Sequence, residues 1–322
     1  MIATTTGGTP TELLGWVARR ADTRMANNDT IKLVAQITDI HIGFDPDAKP
    51  EELNRIRFRE TIDRITTAPN VPDFMVLSGD LTDHGDKESF EKTAALLADL
   101  PFPLLPMVGN HDSREGLLHA FPDTPHHDLD ADGYGYIQYG VEAGSNLRIV
   151  CLDTLEPGRH GGAFCETRAA WLKNELSEHK DKAVLIFMHH PPVVSGIGWM
   201  DPAPEEPWIT RFADAIAGHD NIVGIHCGHL HRPINTTFRG VNMGVTASVA
   251  PLVAMDLRPI SDDNADGREL ITTEPATYAL HRWNGTDLLT HYEKTSDWDV
   301  LAKYDPPLQP MIHEMLEEKR QG

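Results

Sequence analysis

The feature that most constrains the fold is an alternation of apolar, β-rich runs with helical patterns along most of the chain. Five of the runs read IKLVAQIT, DFMVLSG, LLPMVG, AVLIFMHH and NIVGIHCG. Strands that appear as continuous apolar runs are buried on both faces, as in a sheet covered by other layers. We therefore predict an α/β fold in which helices cover the faces of β-sheets.

The remaining elements follow the same rhythm. Helices are predicted over 53–65, 90–97, 168–176 and 209–216 and after Pro310, and further strands at YGYIQY (134–139), LRIVCLD (147–153), 241–245, 278–283 and 288–292. Residues 252–275 are the most loop-like interior stretch. Such a loop either shapes substrate access or is a plain solvated connection, and the sequence favours neither reading.

Composition indicates how the chain is divided into segments and which classes of partner are disfavoured. We predict a flexible extension over 1–30, one folded domain over 31–295 and a helical tail over 296–322. Neither a signal peptide nor a long apolar run is evident, so we expect a cytoplasmic protein with no membrane association and reduced cysteines. The net charge of −21 disfavours long nucleic acid as a partner. The C-terminal strands and helix offer material for a homodimer or a higher homo-oligomer.

Polar side chains follow five of the predicted strands, at the point where each strand ends. They are Asp39, His41, Asp80, Asn110, His111, His189, His229 and His231. The carboxyl ends of strands in an open α/β sheet meet at one crevice, so we expect these groups to converge. Glycines at 79, 109 and 228 fit sharp turns before the polar residues. In the Asp39-x-His41 and His229-x-His231 pairs, residues two apart point to one side of an extended chain.

The chemistry of these groups favours metal ions. Carboxylate and amide oxygens mixed with imidazoles suit Zn, Mn, Fe or Co, and the absence of thiolates argues against a structural zinc site. Seven ligands exceed the need of one ion, and Asp80 is the natural bridge between two, because its two oxygens can hold metals about 4 Å apart. Taken singly, each aspartate could be a helix cap and Asn110 a turn residue.

The blocks TDIH, SGDLTDHG, VGNHD, MHHPP and CGHLH, in this order, resemble those of the calcineurin-like metallophosphoesterases. The resemblance runs from about residue 31 to 295 and implies a four-layer α/β/β/α sandwich with a dimetal site at the carboxyl ends of the strands. Within the superfamily, MHHPP and CGHLH are similar to blocks of the class III cyclic-nucleotide phosphodiesterases and the bacterial glycerophosphodiesterases.

Carried over position by position, the resemblance implies a role for each residue. One metal would be held by Asp39, His41 and His231, a second by Asn110, His189 and His229, with Asp80 between them. The ions would be divalent or of mixed valence. Asn110 and His111 would contact the substrate, and His111 would protonate the leaving oxygen, since histidine ordinarily titrates near neutral pH.

The expected reaction is hydrolysis of small phosphodiesters, either 3′,5′-cyclic nucleotides or glycerophosphodiesters. The alternatives are a phosphomonoesterase or phosphoprotein phosphatase, and a scaffold that binds without cleaving. An intact His111 speaks against the scaffold, because binding alone needs no leaving-group acid.

The other histidines and the residues near them receive less specific predictions. His190 is expected beside the metals without binding them, His126 and His127 on the surface, and His226 and Cys227 in a buried strand. His84 either forms a turn or touches substrate. Trp199 and Met200 either line a wall for the leaving group or pack in the core.

Overall fold

Two β-sheets lie face to face at the centre of the molecule. The computed structural model describes residues 31–44, 49–126, 133–203 and 205–321, so the predicted extension over 1–30 and His127 lie outside the described residues. The strands are β1 (Lys32–Ile37), β2 (Phe74–Ser78), β3 (Leu104–Met107), β4 (Tyr139–Glu142), β5 (Leu147–Leu152), β6 (Ala183–Met188), β7 (Ile222–Cys227), β8 (Ile234–Phe238), β9 (Val241–Val245), β10 (Leu252–Val253), β11 (Ile271–Thr272), β12 (Thr277–Trp283) and β13 (Leu288–Lys294).

Helices cover the outer faces of both sheets. They are α1 (Lys49–Thr67), α2 (Lys87–Leu97), α3 (Arg114–Ala120), α4 (Glu166–Glu178) and α5 (Pro207–Ile216). A further helix, α6 (Gln309–Gln321), follows near the end of the chain and is mostly exposed. One sheet has the order β13-β12-β1-β2-β3 and the other β4-β5-β6-β7-β9-β8. Strands β1 to β3 are parallel, as are β5 to β7. The carboxyl ends of three neighbouring strands in each sheet therefore face one edge.

Alternation along β6 illustrates why the sheets stack. Leu185 and Phe187 belong to the core that also contains the first sheet, whereas Ile186 and Met188 pack in the core beneath α4 and α5. Successive side chains of a strand point to opposite faces of the sheet. When both faces are covered by other layers, every residue of the strand is therefore apolar, as in β6. The predicted α/β/β/α sandwich is confirmed.

Most predicted elements are present, and the differences have local causes. YGYIQY was assigned wrongly, because the strand begins only at Tyr139, and Gly133 and Gly135 before it have φ of 80° and 77°, outside strand geometry. The sequence patterns missed β8 and the seven-residue helix α3, which begins where Ser113 Oγ accepts a hydrogen bond from Gly116 N. Residues 252–275 carry one short pair, β10 with β11.

Two further expectations can be compared with the structure. Cys151 and Cys227 are buried free thiols and Cys165 is a partly buried one, as expected. None of the described helices has both the length and the apolar composition that crossing a bilayer demands. The domain boundaries at 31, 295 and 322 stay predictions.

A pair of buried histidines lies between the two sheets. The ring centroids of His226 on β7 and His281 on β12 are 4.0 Å apart. His281 contacts Thr290 Oγ1 and Gln36 Oε1, whereas neither ring nitrogen of His226 has a hydrogen-bond partner among the described residues. Burial lowers the pKa of His226 to about 3 and that of His281 well below its usual value. Both histidines are therefore neutral in the folded protein at neutral pH.

We expect this pair to make the fold sensitive to acid. In the unfolded chain both imidazoles have a pKa near 6.5. Below that pH the unfolded chain therefore binds protons that the folded protein does not bind, and this favours unfolding. The stability that these neutral rings contribute is fully present above about pH 6.5 and is lost as the pH falls below it. For His226, whose pKa burial lowers to about 3, ~2 kcal/mol is lost between pH 7 and pH 5. Denaturant unfolding at both pH values, with His226→Leu as the matched variant, measures the effect. An equally steep pH dependence in the variant would contradict it.

Candidate active site

All eight predicted site residues lie on turns that follow strands of the two sheets. Asp39 and His41 follow β1, Asp80 follows β2, Asn110 and His111 follow β3, His189 follows β6, and His229 and His231 follow β7. Because β1 to β3 and β5 to β7 each run in parallel, these turns meet at one edge of the stacked sheets. Residues separated by nearly two hundred positions thus share one site.

The backbone at this edge is unusual. Five of the eight residues have positive φ, namely Asp39 (51°), His41 (50°), Asp80 (51°), His229 (69°) and His231 (54°). Arg239 is the one other non-glycine residue with positive φ in the described part of the chain. The extended geometry expected for the Asp-x-His and His-x-His pairs is therefore wrong, since the chain turns through the left-handed region at each of them. Strain of this kind is retained where function requires a particular side-chain direction.

The three glycines serve different purposes. Gly79 has φ of 95°, which allows the sharp turn before Asp80. Gly109 and Gly228 instead permit close approach, because a Cβ at Gly109 would lie 2.2 Å from Asp80 Oδ1 and one at Gly228 would lie 2.0 Å from Thr38 Oγ1. Two of the three are thus needed for space and not for their backbone angles.

The first group of converging side chains consists of Asp39, His41 and His231. His231 Nε2 lies 3.3 Å from Asp39 Oδ1 and 3.2 Å from His41 Nε2. The other ring nitrogens are engaged elsewhere, because His41 Nδ1 donates to Asp83 Oδ1 at 2.9 Å and His231 Nδ1 donates to Pro251 O at 3.0 Å. In the neutral rings, two Nε2 lone pairs therefore face each other, an arrangement that a cation between them satisfies.

A second group is formed by Asn110, His189 and His229. Asn110 Oδ1 lies 3.2 Å from His189 Nε2 and 3.0 Å from His229 Nδ1. His189 Nδ1 donates to Ser78 O at 2.9 Å, which turns its Nε2 lone pair toward the amide oxygen. When His189 Nε2 and His229 Nδ1 carry no proton, three acceptor atoms converge here, as ligands of a cation do.

Asp80 lies between the two groups. Its Oδ2 is 3.2 Å from His189 Nε2 and 3.7 Å from His41 Nε2, so one oxygen faces both sets of donors. Its Oδ1 accepts a hydrogen bond from the backbone N of His111 at 2.8 Å. This is the position that a carboxylate shared by two ions would occupy.

Electrostatics at the site favour positive charge. Burial raises the pKa of Asp80, but the neighbouring histidines, His189 first, outweigh it and hold that pKa well below its usual value. Burial lowers the pKa of His189, but the carboxylates of Asp80 and Asp39 outweigh burial and raise it to about 9. A cation bound here would take the place of that proton. The described residues thus include side-chain groups able to hold metal, among them Asp39 with His41 and His231, and Asp39 with Asp80 and His189.

His111 stands at the same edge and is held in place by a different set of contacts. Its Nδ1 donates to Asp83 O at 2.9 Å, and its ring meets that of His41 edge to face with centroids 4.7 Å apart. The side chain is 37% exposed and lines the cleft. Its Nε2 is therefore free to face a molecule in the cleft.

The sequence patterns did not single out Asp83, Asp112 and His160. Burial raises the pKa of Asp83, but the hydrogen bond from His41 and the charges of His41, His111 and His84 together outweigh it and lower that pKa, so Asp83 acts as an ionised acceptor that orients His41. Asp112 accepts hydrogen bonds from Leu81 N, Thr82 N, Thr82 Oγ1 and Gly109 N, and joins the turns after β2 and β3. Both lie inside quoted motif blocks, a signal that could have identified them.

His160 lies in a loop far from any motif block. Its Nδ1 accepts a hydrogen bond from Asn110 Nδ2 at 3.4 Å, which leaves Asn110 Oδ1 directed at His189 and His229. Its ring lies 4.7 Å from that of His229. No local pattern announces this histidine, because its place depends on how the loop crosses the sheet edge.

The remaining predicted histidines are distributed as follows. His190 is buried, with Nδ1 bonded to Thr154 Oγ1 and Nε2 donating to His160 O, so both nitrogens have other partners although one lies within 4.8 Å of the ring nitrogens of His189 and His229. His84 is mostly exposed beside Asp83, His126 is exposed, and His226 and Cys227 are buried strand residues.

A cleft of about 230 Å³ opens over these groups. Its floor includes Asp80, His111, His160, His229 and His231. Its sides are largely apolar and include Phe44, Trp199, Met200, Val253 and Ile271. Trp199 and Met200 therefore both line the wall, although Met200 is at the same time buried in the core of the second sheet.

Comparison with known proteins places this geometry in context. A probable glycerophosphodiester phosphodiesterase of Arcobacter nitrofigilis is 31% identical over 238 residues, which are 73% of this chain and 81% of the relative. A probable cyclic nucleotide phosphodiesterase of Rhodopseudomonas palustris is 34% identical over 213 residues, or 64% of this chain and 72% of the relative. A dimetal phosphatase from Danio rerio shares the fold, with a TM-score of 0.52, 16% identity, and coverage of 80% of this chain and 98% of that one.

The family profile described as calcineurin-like phosphoesterase matches residues 32–233, which contain every residue of the converging groups. With the strand order, the shared edge and the relatives all in agreement, the chain belongs to the calcineurin-like phosphoesterase family.

Proposed function

We propose that this protein hydrolyses small phosphodiesters at a centre of two metal ions. Asp39, His41 and His231 would hold one ion, and Asn110, His189 and His229 would hold the other. Asp80 would be shared between them. The observation that carries the proposal is the convergence of buried acceptor atoms, above all the two Nε2 atoms of His41 and His231 that face each other at 3.2 Å. Such an arrangement is costly unless a cation or a proton lies between the rings, and the nearby Asp39 carboxylate, which against the effect of burial raises the pKa of His231, favours either one.

These N and O donors suit Fe, Mn, Zn or Co. Such ions would lower the pKa of a water so that hydroxide is available to attack phosphorus near neutral pH, and they would offset charge on the phosphoryl oxygens. The chain's own contribution is to hold the donors rigidly. In His41, His189 and His231, Nδ1 donates a hydrogen bond to a fixed acceptor, and this orients each ring so that Nε2 points to the site. Asn110 and His111 lie where a substrate phosphate would contact them.

A diester fits this cleft better than a monoester. None of the described residues that line the cleft is Lys or Arg. A diester carries a single negative charge, which two ions and neighbouring imidazoles can offset, whereas a monoester or a phosphoprotein loop brings more charge. The apolar sides of the cleft also leave room for a second ester substituent. The two relatives named for glycerophosphodiester and cyclic nucleotide hydrolysis support the same class.

His111 is proposed as the acid that protonates the leaving oxygen. Its Nδ1 hydrogen bond to Asp83 O fixes the ring, and the residue lines the cleft, which leaves Nε2 available to a substrate there. Asp83 thus orients two residues at once, since its carboxylate accepts from His41 and its backbone carbonyl accepts from His111. We place Asp83 as a positioning residue.

Exhaustive removal of metal should abolish turnover, because no described side chain in the cleft replaces the ions as a means of activating water. Mn, Zn or Co added back should restore activity to different degrees, since N and O donors accept several first-row ions. The measurement pairs metal content with turnover of a bis-nitrophenyl diester, a nitrophenyl monoester, cyclic AMP and a glycerophosphodiester. Full activity in metal-free protein would refute the mechanism, and preference for the monoester would refute the substrate class.

A further inference from the structure

Three large apolar side chains at the mouth of the cleft are exposed. Phe44, Trp199 and Ile271 have 41%, 37% and 54% of their surface open to solvent, and all three line the cleft above the metal-binding groups. Single exposed apolar residues need no explanation on a protein surface. Here, however, three exposed apolar residues come from separate parts of the chain and surround one cleft, which indicates a role in function.

The loop that carries Trp199 is built to keep it exposed. The carboxylate of Asp201 accepts hydrogen bonds from Ser195 N at 2.7 Å, Gly196 N at 2.9 Å and Ser195 Oγ. Ile197 and Met200, on either side of Trp199, are anchored in the core of the second sheet. Because Asp201 closes the loop and Ile197 and Met200 are buried, the backbone on both sides of Trp199 is held in place and the indole stays exposed where it lines the cleft.

The part of the wall that carries Ile271 is fixed as well. Strand β11 pairs with β10, and Arg232 Nη1 donates to Val253 O at 2.7 Å while it pairs with Glu274 at 2.8 Å. The positive charge of Arg232 is thus paired with Glu274, and its guanidinium also holds the β10–β11 pair through Val253 O. The wall above the metal-binding groups is therefore apolar and includes two aromatic side chains, Phe44 and Trp199.

On the basis of the proposed function, we propose that Trp199, with Phe44 and Ile271, forms the subsite for a planar apolar substituent of the phosphodiester, such as a nucleobase. An indole face stacks on any flat ring without reading its hydrogen-bonding edge, and each such contact contributes appreciably to binding. A glycerol substituent has no flat face and gains nothing from the indole. The subsite therefore favours esters that carry a ring over glycerol esters.

The test compares Trp199→Ala, Trp199→Phe and a control, Trp298→Ala, in the metal-loaded protein. Trp298 is also exposed, but it lies outside the cleft lining and over Arg64. For cyclic AMP we expect Trp199→Ala to raise KM roughly 5- to 100-fold with little change in kcat. Trp199→Phe should retain most of the affinity, Trp298→Ala should behave as wild type, and KM for a glycerophosphodiester should stay unchanged in all three.

A second readout does not depend on turnover. Titration of 5′-AMP into the metal-loaded protein should quench tryptophan fluorescence in a saturable way, and the quenching should disappear in Trp199→Ala but persist in Trp298→Ala. An equal rise in KM for both esters, or no rise at all, would overturn the subsite. If the metal-loaded wild type hydrolyses neither ester, the proposed hydrolysis fails, and the titration alone then decides for or against the subsite.

Discussion

An Asp80→Ala variant should lose hydrolysis and hold less metal at both positions. One oxygen of Asp80 faces His189 and His41 at 3.2 and 3.7 Å, so a single truncation removes a ligand from each group. The loss in kcat should exceed the roughly 10²–10³-fold that follows removal of one stabilising donor, because the ions themselves are affected. Metal analysis and turnover on the same preparation measure both effects.

Two features make the Asp80 experiment interpretable. The backbone of Asp80 accepts hydrogen bonds from Ile40 N and His41 N, and neither contact involves the side chain that is removed. Asp80→Asn keeps the shape and an acceptor for His111 N but removes the charge, so it separates loss of the bridging charge from loss of local packing. Full occupancy of both ions in Asp80→Ala would show that the bridge is assigned to the wrong residue.

His111→Ala should keep both metals yet lose roughly 10²–10⁴ in kcat, the range usual for a general acid. The loss should depend on the leaving group. A ribose alkoxide needs the proton, whereas nitrophenolate leaves well without it, so cyclic AMP should suffer far more than a nitrophenyl diester. His84→Ala is the matched control, because His84 is 64% exposed beside the same Asp83 and does not line the cleft.

The outcomes for His111 separate three roles. Equal slowing on both esters would indicate that the imidazole positions phosphate without donating a proton. Loss of metal would make His111 a ligand, which its approach with His41 and Asp83 to within 4.8 Å would allow. Wild-type activity on every ester would leave it only the structural role of its hydrogen bond to Asp83 O.

Much of the fold could be predicted, because long apolar runs and helical periodicity are local signals. Strands β1, β2, β3, β6 and β7 coincide with the five runs. The errors occur where the signal is weak. The helix α3 has seven residues, too few for a clear period, and β8 is an edge strand with one buried side chain among five. The strand assigned to YGYIQY was wrong because Gly135 within it and Gly133 before it turn the chain.

The sequence by itself determined which donors converge and in what order, because a polar residue after a buried parallel strand must emerge at the shared sheet edge. Only the tertiary structure decided how those donors are aimed. The Nδ1 atoms of His41, His231 and His189 are hydrogen-bonded to acceptors elsewhere in the chain. These acceptors, on Asp83, Pro251 and Ser78, are brought to the rings only by contacts between distant segments. The same holds for His160 beside Asn110 and for Trp199 at the cleft. These positions are set by how two sheets and their loops pack, and no periodicity or spacing in the chain encodes that packing locally.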